Sequence, residues 1–173
     1  PADKLDNCSL LFLEAIQSAT EKVWIASPYF VPNVEILAAL QLAVLRGVDV
    51  RILLPAKIDH RIVYLASFCY LPSTIPYGIK IYRYDPTAFL HQKVMVIDED
   101  LAFVGTANLD NRSLRLNFEI TVAVFDEFFA SQVTRMLEKD FLDSKLSTLE
   151  DYTQRSLFFR LGAHVSQLFA PIL

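Results

Sequence analysis

The stretch that decides the fold reads FLHQKVMVIDEDLAFVGTANLDNRS, from Phe89 to Ser113. Most of it predicts two short apolar strands around an acidic turn, because runs of Val, Ile, Leu and Phe flank Asp-Glu-Asp. His91 and Lys93 stand two residues apart, where the first strand is expected to begin. Since side chains alternate across a strand, this spacing predicts that both lie on one face. A histidine and a lysine together are unusual on so apolar a strand.

Helical and strand-like periodicity alternate on both sides of this stretch. The predicted helices cover residues 9–20, 34–46, 59–70 and 127–142. The other predicted strands cover residues 22–27, 48–54, 79–84 and 117–125. Asn33 is suited to cap the start of the second helix, and Gly47 is suited to end it. This order predicts an α/β fold in which a mixed β-sheet is sandwiched between helices.

The chain divides into a predicted domain, residues 1–145, and a C-terminal tail, residues 146–173. The tail has the pattern of an amphipathic helix, and its apolar side is formed by Leu157, Phe158, Leu161, Val165, Leu168 and Phe169. Two interpretations stay open: this side packs on the domain or a missing partner, or it also touches a membrane surface. No apolar run predicts a spanning helix. The sequence does not begin with Met, and its first residues already follow helical spacing. We therefore expect the chain to be a piece of a longer protein.

Composition narrows the classes of function. The sequence is 53% hydrophobic and 21% charged, which excludes a disordered chain. Its formal net charge is −4, so no nucleic acid is expected as a partner. Cys8 and Cys69 have no motif spacing and are expected to be small buried apolar residues.

Several groups suited to an oxyanion follow His91 and Lys93. Thr106 and Asn108 come directly after Gly105, which is expected to let the backbone approach a ligand. An amine, an amide and a hydroxyl beside an imidazole suit a tetrahedral oxyanion, most naturally a phosphate. No second His or Cys lies at ligand spacing, so no metal and no cofactor are expected. The other two histidines, His60 and His164, are expected to be structural or exposed.

The motif resembles a known family. His91, Lys93 and Asp98 form an HxKxxxxD pattern, and after six residues comes the sequence GTAN. HxKxxxxD alone would be a weak match, but the added GTAN makes it specific. With KVWIASPYFVPN and ALQLAVLRGVDVRILLP, the chain resembles the phospholipase D superfamily, and within it the C-terminal half of bacterial cardiolipin synthases. The resemblance covers nearly the whole chain.

The resemblance implies a role for each motif residue. In the family two such motifs meet in one site, where one histidine forms a phosphohistidine and the other acts as general acid and base. We assign the acid–base role to His91, and the nucleophile stays the alternative. Lys93 and Asn108 would bind phosphate oxygens, and Thr106 would add a hydrogen bond. Glu119 would accept a hydrogen bond from the second imidazole nitrogen, unless it is a surface carboxylate.

For other residues the resemblance leaves two interpretations. Asp98 belongs to the catalytic motif but is expected mainly to anchor the strand end and its turn. Tyr29 and Phe30 lie either near the mouth of the pocket or in the core. Arg112 and Arg115 hold lipid head groups or form ordinary ion pairs.

The activity implied by the resemblance is a phosphatidyl transfer. One phosphatidylglycerol passes its phosphatidyl group to another, giving cardiolipin and glycerol, at an anionic phospholipid membrane, the bacterial inner membrane. One motif supplies one histidine, so a second HKD half is required, from the same parent chain or from a homodimer. The isolated chain is therefore expected to be inactive. Two alternatives stay open: a single-motif phosphodiesterase or nuclease working as a homodimer, and an inactive lipid-binding fragment.

Overall fold

A computed structural model describes residues 6–57 and 59–173 of the chain. The helices within this part are α1 Asn7–Ser18, α2 Val34–Leu45, α3 Arg61–Phe68, α4 Leu71–Thr74, α5 Asn111–Arg115, α6 Glu127–Leu142, α7 Glu150–Thr153 and α8 Leu157–Gln167. The strands are β1 Lys22–Ala26, β2 Phe30–Val31, β3 Asp49–Leu54, β4 Lys80–Tyr84, β5 Val94–Ile97, β6 Leu101–Gly105, β7 Leu109–Asp110, β8 Thr121–Phe125 and β9 Ser144–Leu146. Two 3-10 turns cover Ile75–Tyr77 and Ala170–Ile172.

The main sheet has seven strands in the order β8-β6-β5-β1-β3-β4-β9. Strands β1, β3 and β4 run parallel, whereas β5, β6, β8 and β9 run antiparallel to their neighbours. The predicted hairpin is formed by β5 and β6, with Val94 opposite Val104 and Ile97 opposite Leu101. A separate pair, β2 with β7, joins the segment after β1 to the segment after β6. The predicted mixed sheet is confirmed.

Helices cover both faces of this sheet because successive strand residues point to opposite sides. On β1, Val23 and Ile25 belong to the core that packs under α1, α2 and α3. Trp24 and Ala26 belong to a second core beneath α6. The centre of the sheet is therefore buried on both faces, which leaves the strand ends as the places where polar side chains can reach a ligand.

Capping residues fix the longer helices. The side chain of Asn33 accepts a hydrogen bond from the Ile36 backbone at 2.9 Å, as predicted. Gly47 follows α2 with a φ of 94°, in the left-handed region that favours glycine. The helix predicted over residues 127–142 has those bounds in the structure. The helix predicted over 59–70 begins later, at Arg61, and a new short helix follows it at Leu71.

One predicted strand is shorter than expected. The pattern over residues 117–125 predicts continuous pairing, but β8 begins at Thr121. Thr121 lies opposite Gly105, the last residue of β6, so no partner strand extends further. The short elements β2, β7, β9 and α5 were not predicted, since two to five residues carry too little periodicity to be recognised.

The tail packs on the domain, but not through the apolar side that the sequence pattern defines. Helix α8 lies against α3, with Ala163 fully buried and the ring of Phe159 5.2 Å from that of Phe68. The predicted apolar side is mostly exposed instead; Phe158, for example, is 87% exposed. In the part of the chain described, no helix has the length and apolar character needed to cross a membrane.

Candidate active site

His91 and Lys93 lie just before β5, at its N-terminal end, and not within the strand. The imidazole of His91 is exposed and stacks on the ring of Phe89, with centroids 5.4 Å apart and planes 13° from parallel. Among the described residues, neither ring nitrogen has a hydrogen-bond partner. The imidazole is therefore free to exchange a proton with a group that approaches from outside the chain.

The ammonium group of Lys93 lies next to this histidine. Its Nζ donates a hydrogen bond to the backbone carbonyl of His91 at 2.8 Å. Partial burial lowers the pKa of Lys93, while the carboxylates of Glu119, Asp110 and Asp59 act to raise it. A half-buried cation among carboxylates has donor capacity left over for an anionic ligand, because an ammonium group carries three donors.

Gly105 is required by the neighbouring strand. A Cβ at this position would lie 2.3 Å from the carbonyl oxygen of Ile120 and 2.7 Å from Cα of Thr121. The same carbonyl accepts a hydrogen bond from the Thr106 backbone at 2.8 Å, and the Ile120 backbone donates to the Thr106 hydroxyl at 3.0 Å. The sequence predicts that this glycine lets the backbone approach a ligand; the close approach in the structure is to β8 and the residue before it.

Glu119 is held by two neutral side chains. The hydroxyl of Thr106 donates to one carboxylate oxygen, and the amide of Asn117 donates to the other at 3.0 Å. Arg112 in turn donates to the Asn117 side chain at 3.2 Å. Within the described residues, Glu119 makes no hydrogen bond with His91. The structure therefore places Glu119 beside Thr106. On its other side, the hydrogen bonds of Glu119 continue through Asn117 to Arg112.

A cavity of about 240 Å³ opens beside this network. Asn108 and Asp110 line it, together with Tyr29 and His60. The Asp110 carboxylate accepts a hydrogen bond from the Ser113 backbone at 2.7 Å and so caps α5. Burial raises the pKa of Asp110, although hydrogen bonds from Ser113 and Asn108 oppose the change.

Asp98 lies at the other end of β5, away from His91. Its carboxylate accepts hydrogen bonds from the backbone of Thr20, Glu21 and Lys22 and from the Thr20 hydroxyl, at 2.8–3.2 Å. Burial acts to raise the pKa of Asp98, but these hydrogen bonds together lower it below its ordinary value. The structure does not bring Asp98 to the other motif residues, and its contacts are those of an anchor.

The remaining predicted residues separate into two groups. Tyr29 lines the cavity, and its hydroxyl donates to Asp59 at 3.0 Å; burial, then the Asp59 hydrogen bond, raise its pKa to about 12. Phe30 is buried in the core. Arg112 lines the cavity, whereas Arg115 pairs with Asp6 at 2.9 Å.

Sequence reasoning missed four polar residues of the cavity wall. His60 is expected from the sequence to be structural or exposed, and Asp110, Ser113 and Asn117 have no predicted role. His60 lies 31 residues before His91, on a different element, so no spacing rule connects the two. Of the other predicted structural residues, His164 lies 2.9 Å from the Tyr152 hydroxyl, Cys69 is buried and Cys8 is half-buried.

The sequence matches a known family over most of its length. The family described as cardiolipin synthase, PLD-like domain, matches residues 12–141. The chain belongs to this family. The predicted resemblance to the phospholipase D superfamily is thereby confirmed.

Relatives in this family are longer than the chain. Cardiolipin synthase A of Pseudomonas putida is 52% identical over all 173 residues, which make up 36% of that protein. Cardiolipin synthase A of Pseudomonas aeruginosa is 54% identical over the same residues, which make up 35% of it. The chain thus spans about a third of the length of the relatives it matches.

Solved structures share the fold. The phospholipase D family member Nuc from Salmonella typhimurium superimposes with a TM-score of 0.68 at 22% identity, over 80% of this chain and 89% of Nuc. The phosphatidylserine synthase of Haemophilus influenzae superimposes with a TM-score of 0.73 at 15% identity, over 94% of this chain and 44% of that one. At such identities the likeness shows the fold alone, and it confirms the predicted fold class.

Proposed function

We propose that the chain is the C-terminal catalytic half of a cardiolipin synthase. The parent protein would be a phosphatidyltransferase that moves a phosphatidyl group from one phosphatidylglycerol to a hydroxyl of another, releasing glycerol. The match of all 173 residues to cardiolipin synthase A carries this proposal. The free imidazole of His91 beside the Lys93 ammonium supplies groups suited to the reaction.

The proposed reaction has two steps. A histidine of the second half attacks phosphorus, a P–N bond forms, and the P–O bond to glycerol breaks as His91 protonates the leaving oxygen. His91 then removes the proton of the incoming hydroxyl, whose oxygen attacks phosphorus and breaks the P–N bond. No proton is gained or lost over the cycle. The reverse assignment of the two histidines satisfies the same balance.

The groups around His91 would bind and orient the phosphate. Lys93 and the Asn108 amide are proposed to contact the non-bridging oxygens, where a cation and an N–H donor stabilise developing negative charge. Thr106 would add its hydroxyl. Glu119 is proposed to be a positioning residue, since it holds Thr106 and Asn117. Asp98 is proposed to act through the fold, because its carboxylate is already engaged far from His91.

Exposed apolar residues flank His91 and Glu119 in the chain, and this apolar patch is proposed to contact the second HKD half. The patch consists of Phe89, Leu116, Phe118, Ile120 and Val122, which are 47–86% exposed. Large apolar patches on a protein surface mark interaction sites. A second half seated here would bring its own histidine towards His91, either from the parent chain or from a second copy.

The exposed side of the tail is proposed to contact an anionic phospholipid surface, the bacterial inner membrane. Residues 155–173 contain two arginines and no Asp or Glu, although the whole chain carries a net charge of −4. An amphipathic helix with a basic character and exposed Leu and Phe is typical of segments that lie in the membrane interface.

A reconstitution assay tests the proposed function. The chain is incubated with phosphatidylglycerol vesicles, alone and together with a separately produced N-terminal half of a relative. We expect cardiolipin and glycerol in equal amounts only when both halves are present. Cleavage of single-stranded DNA by the chain alone would favour the nuclease interpretation, and the absence of any product on reconstitution would favour a non-catalytic fragment.

A further inference from the structure

Another cavity lies at the edge of the sheet where β4 pairs with β9, away from the motif at the start of β5. Its volume is about 160 Å³, and a water molecule occupies about 30 Å³ of liquid, so a group of several heavy atoms fits. In the sheet, β4 is three strands from β5, roughly 14 Å at the usual strand spacing. This cavity shares no lining residue with the one beside Glu119 and is separate from the candidate active site.

The polar wall of this cavity is positively charged. Arg83, Lys145 and Arg155 line it, and among the described residues Asp151 is the one carboxylate in the wall, so the wall has a net charge of +2. Lys145 lies 3.3 Å from Asp151 and compensates that carboxylate. Within the part of the chain described, neither arginine forms an ion pair. The two guanidinium groups are therefore left without a counter-ion.

Arg83 is half-buried and is held by neutral groups. One terminal nitrogen donates to the Pro55 carbonyl at 3.3 Å, and the other donates to the Ser67 hydroxyl at 2.9 Å. Burial lowers the pKa of Arg83 to about 10; the charge of Arg155 acts in the same direction, whereas Asp151 acts to raise it. A negative charge placed beside both arginines would offset the cost of holding them close together.

Arg155 supplies accessible donors. Its side chain is exposed, and its Nε donates to the Asp151 backbone carbonyl at 3.2 Å, while its terminal nitrogens make no hydrogen bond to any described residue. The guanidinium carbon lies 5.1 Å from the centre of the Phe159 ring, a contact that uses the face of the group and leaves its edge free. Guanidinium groups bind phosphate oxygens through such an edge, by two parallel hydrogen bonds.

Apolar side chains follow these donors in the chain. Leu157 and Phe158 come two and three residues after Arg155, at the start of α8, and are 79% and 87% exposed. The acyl chains of a lipid whose phosphate is bound by Arg155 would find apolar surface here, whereas a free phosphate ion would not use it.

We propose that this cavity is a binding site for a phosphate group, separate from the phosphate site at β5, and that a phospholipid supplies the group. The phosphate site rests on the charges and donors of Arg83, Lys145 and Arg155. The choice of a phospholipid as its source rests on the proposed function, in which the tail contacts a phospholipid surface. The lipid bound here would not be a substrate; it would hold the start of α8 against the membrane.

Nuclear magnetic resonance of the 173-residue chain tests the phosphate site. Inorganic phosphate is titrated while backbone amide shifts are followed, and sodium chloride of equal ionic strength is the reference. We expect saturable shifts at Thr148 and Asp151 with phosphate only. Arg155→Ala should weaken this binding about tenfold, the effect of lost hydrogen bonds to a charged group, and Arg155→Lys should weaken it less. Arg135→Ala is the matched control, since Arg135 is exposed on α6, outside the cavity wall.

A second variant tests the sign of the charge. Asp151→Asn removes the negative charge of the wall and keeps an oxygen for the Thr148 backbone N–H, which lies 2.8 Å from the Asp151 carboxylate. It should tighten phosphate binding about threefold, because a repulsive charge is removed. No saturable shift with phosphate, equal affinity of Arg155→Ala and the unaltered chain, or weaker binding by Asp151→Asn would each overturn the proposal.

A comparison of two head groups identifies the source of the phosphate. Dihexanoylphosphatidylglycerol, kept below the concentration at which it forms micelles, should shift the Thr148 amide with about tenfold higher affinity than glycerophosphoglycerol, which has the same charge and no acyl chains. Phe158→Ser should reduce this difference. Equal affinity for the two would overturn a phospholipid as the source.

The reconstitution assay separates this inference from the proposed function. Cardiolipin formation by chains that show no phosphate binding at Thr148 would contradict this inference alone. Phosphate binding at Thr148 without cardiolipin formation on reconstitution would contradict the proposed function alone.

Discussion

Residues of the same motif lie at the two ends of β5, and they differ in how fully their side chains are hydrogen-bonded. At the C-terminal end, the carboxylate of Asp98 accepts hydrogen bonds from four donor groups. At the N-terminal end, the His91 imidazole has no hydrogen bond among the described residues, and Lys93 donates only to a carbonyl two residues away. Satisfied polar groups stabilise a fold, whereas exposed groups with free capacity can bind a ligand. The motif thus joins an anchor at one end of a strand to side chains with free hydrogen-bonding capacity at the other.

The largest effect is expected from substitution at the N-terminal end. His91→Asn, in the full-length parent or in the reconstituted halves, should lower phosphatidyl transfer by about 10³-fold or more, because the proposed general acid–base group is removed. The exposed side chain makes no hydrogen bond that the fold needs, so the thermal unfolding midpoint should stay unchanged. Activity of the variant at the unaltered level would remove His91 from the mechanism.

Substitution at the C-terminal end of β5 should lower the stability of the chain and leave phosphatidyl transfer nearly unchanged. Asp98→Asn should destabilise the chain by about 3 kcal/mol, since charge-assisted hydrogen bonds to three backbone N–H groups are weakened. Asn tolerates the positive φ of 49° at this position, so the variant isolates the loss of charge. Urea denaturation of the chain measures the change, and transfer per folded molecule in the reconstituted halves should stay within about twofold.

Asp100→Asn is the matched control for this variant. Asp100 is an exposed carboxylate in the same turn and should be replaceable with no change in the free energy of unfolding. A stable Asp98→Asn chain that has lost transfer activity would contradict the division between the two ends.

How far the sequence predicts this arrangement depends on the range of the interactions. The pairing of β5 with β6 follows from local pattern. His91 and Lys93 are predicted on the first strand of this hairpin, whereas the structure has them just before it. The shape of residues 117–120 cannot be predicted from local pattern, because Asn-Phe-Glu-Ile continues the alternation of a strand. The hydroxyl of Thr106 instead takes the Ile120 backbone N–H, and pairing starts only where β6 offers a partner.

The cavity beside Glu119 and the packing of the tail also cannot be predicted from local sequence pattern alone. His60 comes to Asp110 and Asn117 only through the fold, since it precedes α3 whereas the other two lie on either side of α5. In the tail, amphipathicity predicts an apolar side but does not decide whether that side packs on the domain, on a missing partner or on a membrane surface. Helix α8 contacts α3 through Ala163 and Phe159, and leaves residues such as Leu157 and Phe158 exposed.

A smaller effect is expected from a substitution at Gly105, where β6 lies against the start of β8. Gly105→Ala should destabilise the chain by about 2 kcal/mol, because the added methyl group meets the Ile120 carbonyl and strands β6 and β8 must separate. Gly105 also donates to the Lys93 carbonyl at 3.2 Å, so transfer should fall as well. Gly162→Ala is the control, since its added Cβ has only a contact at 4.0 Å. Loss of stability with full activity would show that the site does not depend on this junction.

The smallest effect is a dependence of stability on acidic pH. It tests the anchoring role of Asp98 without a substitution at His91 or Lys93. The folded chain lowers the pKa of Asp98, so the unfolded state binds its proton more readily. The stabilisation is therefore complete above the unfolded value of about 3.9 and is lost as the pH falls through the lower, folded value. The difference in unfolding free energy between the unaltered chain and Asp98→Asn should be constant from pH 7 to 5 and shrink below about pH 4. Urea denaturation across this range measures it. A difference that persists at low pH would mean that the charge of Asp98 is not what holds the strand end, and that its anchoring depends on shape alone.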